Sequence, residues 1–445
     1  MSIRIRLLNK ISSFQIIILG FAGVILIGTL LLMLPIASNS GVVTPMDKAL
    51  FTSTSAVCVT GLVVFDTASY WSFFGQVIIL IMIQTGGLGV ITVASSVSIL
   101  IGRKFSIMHR QTLQNALSAP QVGGIIRLTK FILLGTFLIE VLGAIMMLPV
   151  FVPQYGLEGI WMSVFHSISA FCNAGFDLMG THTGQFSSLT GMVENGYLVS
   201  IIALLIVVGG IGFFTWKDIT TKGLKIKEYR MQTKVILTTT LVLILVPFCI
   251  FFFGDFASMP IGERLSNSFF QAVTPRTAGF NTADLNKMTD AGRSITMILM
   301  LIGGSPGSTA GGIKTTTLAI LFANTLAVFR KRKNANFFGR RIDDSVIKNA
   351  STIIFMYVTL AIGAAIIISL VEGIPMQTCM FETFSAIGTV GLTLGVTPGL
   401  TIISRLILVL LMFFGRVGGL TIIFAAFSRR NTVISKYPMD NIMVG

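Results

Sequence analysis

The sequence predicts an all-α polytopic membrane protein, built from four tandem repeats that together cross the bilayer eight times. Three observations lead to this fold class: the composition is strongly apolar, the basic residues are clustered, and one short pattern recurs four times. Of 445 residues, 53% are hydrophobic and 11% are charged, whereas soluble domains carry about a quarter charged residues. Most of the chain is therefore expected to face lipid or other apolar helices.

The apolar runs are long, which favours helices over a β-barrel. A helix needs about 20 apolar residues to cross the hydrocarbon core, and several runs reach that length. Barrel strands are shorter and alternate between polar and apolar residues. The first run, 14–34, is too long for the core of a signal peptide and has no convincing cleavage site. We interpret it as a retained transmembrane helix.

The basic residues predict the orientation of the chain in the membrane. The net charge is +15, and 24 of the 32 Lys and Arg residues fall within five stretches: 1–10, 103–130, 217–234, 330–348 and 429–436. Most acidic residues lie in the intervening connections. Because basic loops stay in the cytoplasm, both termini are expected there, and the number of crossings is even. This placement explains the positive charge without a nucleic-acid partner.

A short pattern that ends in Gly-Leu or Gly-Phe occurs four times. The copies are Ser55–Leu62, Ser169–Phe176, Val273–Phe280 and Ser385–Leu392. Their aligned glycines are 114, 104 and 112 residues apart. A second glycine group follows each copy: Gly86-Gly87, Gly209-Gly210, Gly303-Gly304, and Gly415 with Gly418-Gly419. Two landmarks in the same order four times indicate an internal repeat.

Each copy is predicted to contain a long apolar helix, a shorter half-polar helix, a glycine loop and a second apolar helix. The first helices are expected at 14–34, 126–152, 235–254 and 350–371. The half-polar helices are expected at 45–58, 157–172, 261–274 and 375–388, and the second helices at 73–101, 196–216, 294–325 and 402–427. The half-polar runs are too short to span, so each should re-enter the membrane as a pore loop. The predicted repeat boundaries are 1–102, 103–217, 218–328 and 329–445.

The glycine loops have the properties of a cation selectivity filter. Such a filter replaces the water around an ion with backbone carbonyl groups, and glycine tolerates the backbone that this requires. The loops contain no ring of carboxylates or basic residues, which disfavours a divalent-cation or an anion pore. Potassium is expected at the backbone carbonyls, with no structural metal. The candidate filter residues are Val59, Thr60, Gly61, Asn173, Ala174, Gly175, Thr277, Ala278, Gly279, Thr389, Val390 and Gly391.

Two further features are predicted to lie below the filter. The second apolar helix of repeat 3 contains five glycines and a proline within ten residues, and this composition prevents a continuous helix. The candidate gate comprises Gly303, Gly304, Ser305, Pro306, Gly307, Ser308, Thr309, Ala310, Gly311 and Gly312, together with Arg416. A charge at the depth of Arg416 usually faces a cavity; the alternative is an ion pair, for instance with Glu140. Lys314 is interpreted as a helix-end residue near the cytoplasm.

The fourfold single-glycine loop, the helices around it and the segment from Gly303 to Thr315 resemble the Trk/Ktr/HKT superfamily of potassium transporters, and within it the bacterial KtrB type. The resemblance implies a potassium-channel-like, pseudo-fourfold arrangement with an intramembrane gating loop. A glycine at position 61 implies potassium selectivity, and Pro275-Arg276 departs from the pattern of the other loops. No loop has the second glycine of the potassium-channel signature, so a shorter and less stringent filter is expected.

The same resemblance implies partners and a location. It implies a homodimer in the bacterial plasma membrane, controlled by a cytosolic KtrA-type ring of RCK domains that binds ATP or ADP. Sodium is expected as an activator, and no cofactor is expected in this chain itself.

Three mechanisms compete on the sequence alone. A gated, channel-like potassium translocator is favoured because the repeats are parallel. An alternating-access symporter coupled to sodium or protons is the alternative, since broken helices are typical of such transporters. Only one broken second helix is expected here, and no membrane carboxylate pair is available to relay protons. An enzyme is disfavoured because no nucleophile–base or metal-binding constellation occurs.

Overall fold

The computed structural model describes residues 12–101, 106–117, 121 and 123–426, and these residues are predominantly helical. The order of elements in each repeat agrees with the prediction. The basic stretches 1–10 and 429–436, part of the stretch 103–130, and both chain termini lie outside the described residues.

The four first helices are long, apolar and only partly covered by the rest of the chain. They are Ser13–Leu32, Ile125–Tyr155, Met231–Phe253 and Asp344–Glu372, and each is long enough to cross a membrane. Between 28% and 33% of the most apolar stretch in each helix is buried within the chain. The remaining apolar surface faces outward, as expected for helices that contact lipid.

A shorter helix follows each first helix, and its C-terminal half is largely buried. These buried helices 1 to 4 are Met46–Cys58, Glu158–Phe171, Ile261–Val273 and Met376–Gly388. In buried helix 1, every residue from Phe51 to Cys58 is at most 1% exposed. Buried helices 1 and 4 end on a left-handed residue, Val59 or Thr389, where the glycine loop begins. The four short helices predicted from the sequence are thereby confirmed.

The second helices correct the prediction of three continuous helices. Second helices 1, 2 and 4 are Phe73–Leu88 with Val90–Leu100, Gly196–Gly210 with Phe213–Lys222, and Ile402–Val417 with Gly419–Ala426. They bend by 94°, 96° and 90°, respectively. The bends lie at Gly89, Gly212 and Gly418, whose φ angles are 87°, 91° and 89°. Residues with a Cβ rarely adopt this conformation, so glycine permits the turn.

Second helix 3 is interrupted over a longer segment, as predicted. It consists of Asp290–Leu301 and Thr315–Phe329, with residues 302–314 between them. The two ends of the interruption are joined, because the Gly303 N–H donates to the Ile313 carbonyl at 2.8 Å and the Ile313 N–H donates to the Leu301 carbonyl at 3.1 Å. The segment is therefore an ordered loop held at its base.

The remaining elements are short and lie in the connections. They are the helices Thr67–Tyr70 and Ile107–Leu117, the antiparallel strands Asn336–Phe337 and Arg340–Arg341, and the 3₁₀ turns Pro35–Ala37, Thr190–Met192, Ile226–Glu228, Leu285–Lys287 and Thr397–Gly399. One large apolar cluster includes residues from all four repeats. The repeats therefore share a single core, and the glycine loops lie inside it.

Candidate functional site

The four glycine loops share one unusual backbone conformation. The glycines have φ angles of 89°, 70°, 79° and 95°, as expected from their sequence pattern. Two positions earlier, φ is also positive: 57° at Val59, 58° at Asn173, 71° at Thr277 and 52° at Thr389. For β-branched residues this conformation is an outlier that persists only where the surroundings enforce it. Left-handed residues at alternate positions allow successive carbonyl groups to face one side of the loop.

Backbone hydrogen bonds at the ends of the buried helices hold this conformation. The N–H groups of Thr60, Ala174 and Val390 each donate at 2.8 Å to the carbonyl of a serine five residues earlier: Ser55, Ser169 and Ser385. In the third loop, the Ala278 N–H instead donates to the Thr274 carbonyl at 3.0 Å. The third loop thus departs from the other three, as expected from Pro275-Arg276.

The four loops touch one another in a closed ring. A Cβ atom added to each filter glycine would overlap or crowd the carbonyl oxygen of the neighbouring loop's middle residue. The pairs are Gly61 with Ala174, Gly175 with Ala278, Gly279 with Val390, and Gly391 with Thr60. The structure therefore brings all twelve predicted filter residues together, and only glycine fits at these four positions.

The second glycine group of each repeat is explained by close packing between backbones. A Cβ atom at Gly86, Gly209 or Gly415 would overlap a carbonyl oxygen near the end of the buried helix of the same repeat. These oxygens belong to Val57, Phe171 and Ile387. In the third repeat, Gly303 instead lies against the Gly311 carbonyl of its own loop. Each bend glycine follows its packing glycine by three residues, whereas Pro306 occupies that place in repeat 3.

The predicted gate segment lies directly against the filter ring. The Thr309 hydroxyl donates to the Phe171 carbonyl at 3.0 Å, at the end of buried helix 2. Gly311 is packed so closely against the Thr389 side chain that a Cβ atom would overlap it. The Ser305 N–H donates to the Gly210 carbonyl at 2.9 Å. The segment therefore contacts repeats 2 and 4 at the level where their filter loops begin.

Arg416 joins three repeats through backbone carbonyl groups. Its guanidinium donates to the carbonyls of Thr309 in the gate segment and of Gly86 and Gly87 at the end of a helix in repeat 1. Partial negative charge at that helix end stabilises a cation there. The alternative of an ion pair with Glu140 is wrong within the described part of the chain, where that carboxylate accepts instead from Gln84 at 3.1 Å.

Lys314 has a larger role than the sequence indicated. Its ammonium group donates to the carbonyls of Ala310 at 2.7 Å and Gly311 at 3.2 Å. It does lie at a helix end, because it precedes Thr315–Phe329. The correction is that its side chain folds back onto the gate segment and fixes the C-terminal half of that loop.

Cavities of opposite electrostatic character lie on the two sides of the ring. The first has a volume of about 490 Å³ and is lined by all four candidate filter glycines, by Asp66, Asp177 and Asp284, and by Lys287. The second has a volume of about 260 Å³ and is lined by the gate segment, Lys314 and Arg416. Burial, and to a smaller extent the nearby Asp66 carboxylate, raise the pKa of Asp177 to about 7, although the Met179 N–H opposes this shift.

The arrangement can be compared with known proteins. The family model described as TrkH, a cation transport protein, matches residues 8–432. The chain belongs to this family. The relatives in this family are cation transport proteins and not enzymes. With its long apolar helices, the chain is a multi-pass membrane protein.

Individual relatives match nearly the whole chain. The potassium/sodium uptake protein NtpJ of Enterococcus hirae is 41% identical and covers 99% of both chains. The Ktr system potassium uptake protein B of Bacillus subtilis is 37% identical over 97% of this chain and 96% of its own. The crystal structure of the potassium transporter TrkH from Vibrio parahaemolyticus superimposes with a TM-score of 0.72 at 17% identity, covering 92% of this chain and 84% of that one. This last similarity establishes the fold.

Proposed function

We propose that this chain is the ion-translocating subunit of a potassium uptake system and that potassium passes through it as through a channel. The observation that carries this proposal is the closed ring of four glycine loops, each packed on a carbonyl of the next. Such a ring can surround a dehydrated cation with backbone oxygens. In this proposal the four repeats contribute eight crossings in a pseudo-fourfold arrangement, and the buried helices act as pore helices.

The acidic cavity is proposed as the outer entrance and the basic one as the inner cavity. Three aspartates and one lysine line the former, and their excess of acidic groups raises the local cation concentration. On the inner side the gate segment blocks the ring, and Arg416 places a positive charge where an ion would leave. Opening then requires the segment to separate from Phe171 and Thr389.

The similar proteins support the choice of ion and the presence of a partner. One relative is named a potassium/sodium uptake protein and another is part of a Ktr system. We therefore propose potassium as the substrate and sodium as an activator. We also propose a homodimer in the bacterial plasma membrane with cytoplasmic termini, controlled by a KtrA-type RCK ring that binds ATP or ADP.

The selectivity of the proposed filter is tested by changing its glycines. Gly61→Ser and Gly279→Ser should reduce potassium selectivity over sodium, because a side chain would displace Ala174 or Val390 and distort the ring. Uptake is measured in a bacterial strain that lacks its own potassium uptake systems. Gly363→Ala is the matched control, since a Cβ atom there meets nothing within 4 Å. Unchanged potassium affinity and selectivity in both serine variants would contradict the filter assignment.

The alternating-access mechanism requires a separate test. Bent helices in every repeat remove one argument against it, because the sequence predicted a single broken helix. The closed ring nevertheless favours a continuous pathway. Currents through reconstituted protein should reverse at the potassium equilibrium potential, whatever the sodium gradient. A reversal potential that moves with the sodium or proton gradient would favour the symporter.

A further inference from the structure

One polar side chain from each of three buried helices is bonded to the chain that follows the filter glycine. These residues are His166 in repeat 2, Gln271 in repeat 3 and Glu382 in repeat 4, and each is at most 1% exposed. His166 and Glu382 precede their filter glycines by nine residues, and Gln271 precedes Gly279 by eight. His166 and Glu382 therefore occupy the same place in their repeats, Gln271 lies one residue closer to its glycine, and each repeat carries a different hydrogen-bonding group there.

Glu382 makes the most extensive of these contacts. Its carboxylate accepts the Leu394 N–H at 3.0 Å and the Thr393 hydroxyl at 2.6 Å on one oxygen. The other oxygen accepts the Thr397 hydroxyl at 2.6 Å. Leu394 lies three residues after Gly391. The carboxylate therefore holds the segment that follows the filter glycine of the fourth loop, here called its outer leg. Three donors converge on this one enclosed side chain, so three hydrogen bonds join the buried helix to the chain that follows Gly391.

His166 makes the equivalent contact in repeat 2 with a defined tautomer. Its Nδ1 lies 2.7 Å from the Met162 carbonyl, which can only accept, so Nδ1 carries the proton. Its Nε2 is then free to accept the Leu178 N–H at 3.3 Å. Leu178 also lies three residues after its filter glycine. The ring stacks on Phe151 with centroids 5.2 Å apart, which fixes its orientation.

Repeat 3 uses an indirect contact, and the described residues of repeat 1, 12–101, show none of this kind. The Gln271 amide donates at 2.8 Å to the Asn281 side chain, which also accepts the Ala283 N–H at 3.3 Å. In repeat 1 the corresponding residue is Thr52, nine residues before Gly61. Its hydroxyl donates to the Lys48 carbonyl of its own helix at 3.0 Å and does not reach the loop.

We propose that His166, Gln271 and Glu382 are positioning residues that fix the outer legs of three filter loops and thereby set the discrimination between potassium and sodium. The proposal rests on the filter assignment made above. In the snug-fit account of ion selectivity, a ring of carbonyls distinguishes two monovalent ions while the oxygens keep their spacing, because a ring that relaxes fits either ion. The contacts are strongest in repeat 4 and lacking in repeat 1, so the four loops contribute unequally.

Variants of repeat 4 provide the sharpest test. Glu382→Leu and Thr397→Val should each lower the potassium-to-sodium uptake ratio, Glu382→Leu by about tenfold, which corresponds to about 1.4 kcal/mol. Glu382→Gln should recover much of the ratio, because the amide oxygen still accepts the Leu394 N–H. Thr397→Val removes one of the donors to Glu382 without changing the buried helix. It therefore tests the same contact even if Glu382→Leu does not fold. Thr52→Val is the matched control and should leave the ratio unaltered.

Uptake rates at varied potassium, with and without competing sodium, separate positioning from a general loss of structure. Loss of positioning should strengthen competition by sodium, whereas a merely structural role would lower the maximal rate at a constant ratio. A constant ratio in Glu382→Leu, or an equal fall in Thr52→Val, would overturn the proposal. If Gly61→Ser and Gly279→Ser alter selectivity in the same assay while these variants do not, the filter assignment stands and only the positioning role fails.

Discussion

At the residue scale, the candidate pathway depends on where backbone carbonyl oxygens point and on which groups neutralise them. The filter loops use left-handed backbone at Val59 and Thr389, where a β-branched side chain is unfavourable. The sequence identified the glycines because only glycine was shared by all four copies. It could not reveal the strained residues two positions earlier, since their conformation is imposed by surrounding contacts.

Arg416 gives a prediction at this scale. Arg416→Ala should raise potassium flux in the absence of a regulatory partner, because the gate segment loses its tie to repeat 1 and the inner cavity loses a fixed positive charge. Flux is measured in proteoliposomes that contain this chain alone. Arg405→Gln is the control on the same helix, where Arg405 pairs with Asp47 at 2.8 Å. An Arg416→Ala variant as tightly closed as the unaltered protein would contradict the gating role.

At the element scale, the helices followed from the sequence and the bends did not. Length and apolar character predicted the first helices, and a half-polar pattern predicted the buried helices. The bends at Gly89, Gly212 and Gly418 were missed because glycines within membrane helices commonly serve helix packing alone. The constant spacing of three residues from Gly86, Gly209 and Gly415 was the available signal.

The packing glycines give a prediction at the element scale. Gly86→Ala and Gly209→Ala should each destabilise the protein by about 1–3 kcal/mol, the usual effect of overpacking, because the new methyl group overlaps a carbonyl oxygen of a buried helix. Thermal unfolding in detergent measures the effect. Gly23→Ala, in a first helix, meets nothing within 4 Å and should be neutral or slightly stabilising. Equal melting temperatures for all three variants would show that the packing tolerates a Cβ.

At the scale of the whole molecule, four similar repeats form a ring that is unequal in its details. Repeat 3 contributes the interrupted helix and an altered filter loop, and repeat 4 contributes Arg416 and Glu382. Repeat 2 supplies the carbonyl group that accepts from the gate segment, and repeat 1 supplies one that accepts from Arg416. In the proposed function, closure and selectivity therefore belong to different parts of one core.

The orientation of the whole chain can be tested by labelling. Lys287→Cys should react with a membrane-impermeant thiol reagent added outside cells, and Lys333→Cys only after the membrane is opened, because the basic stretches are predicted to be cytoplasmic. Both positions are exposed. Cys249, the exposed native cysteine, is first changed to Ser. The reverse pattern of labelling would invert the proposed topology.

The sequence by itself determined the membrane class, the recurrence of the glycine pattern, the candidate filter glycines and the position of the interrupted helix. These features follow from the composition, from the repeated pattern, and from glycine and proline, whose effects on the backbone do not depend on distant contacts. The tertiary structure decided the partners of Arg416, Lys314, His166 and Glu382, because each polar group inside an apolar core bonds to whatever donor or acceptor the packing brings near it. Those partners come from distant parts of the chain, and only folding brings them together.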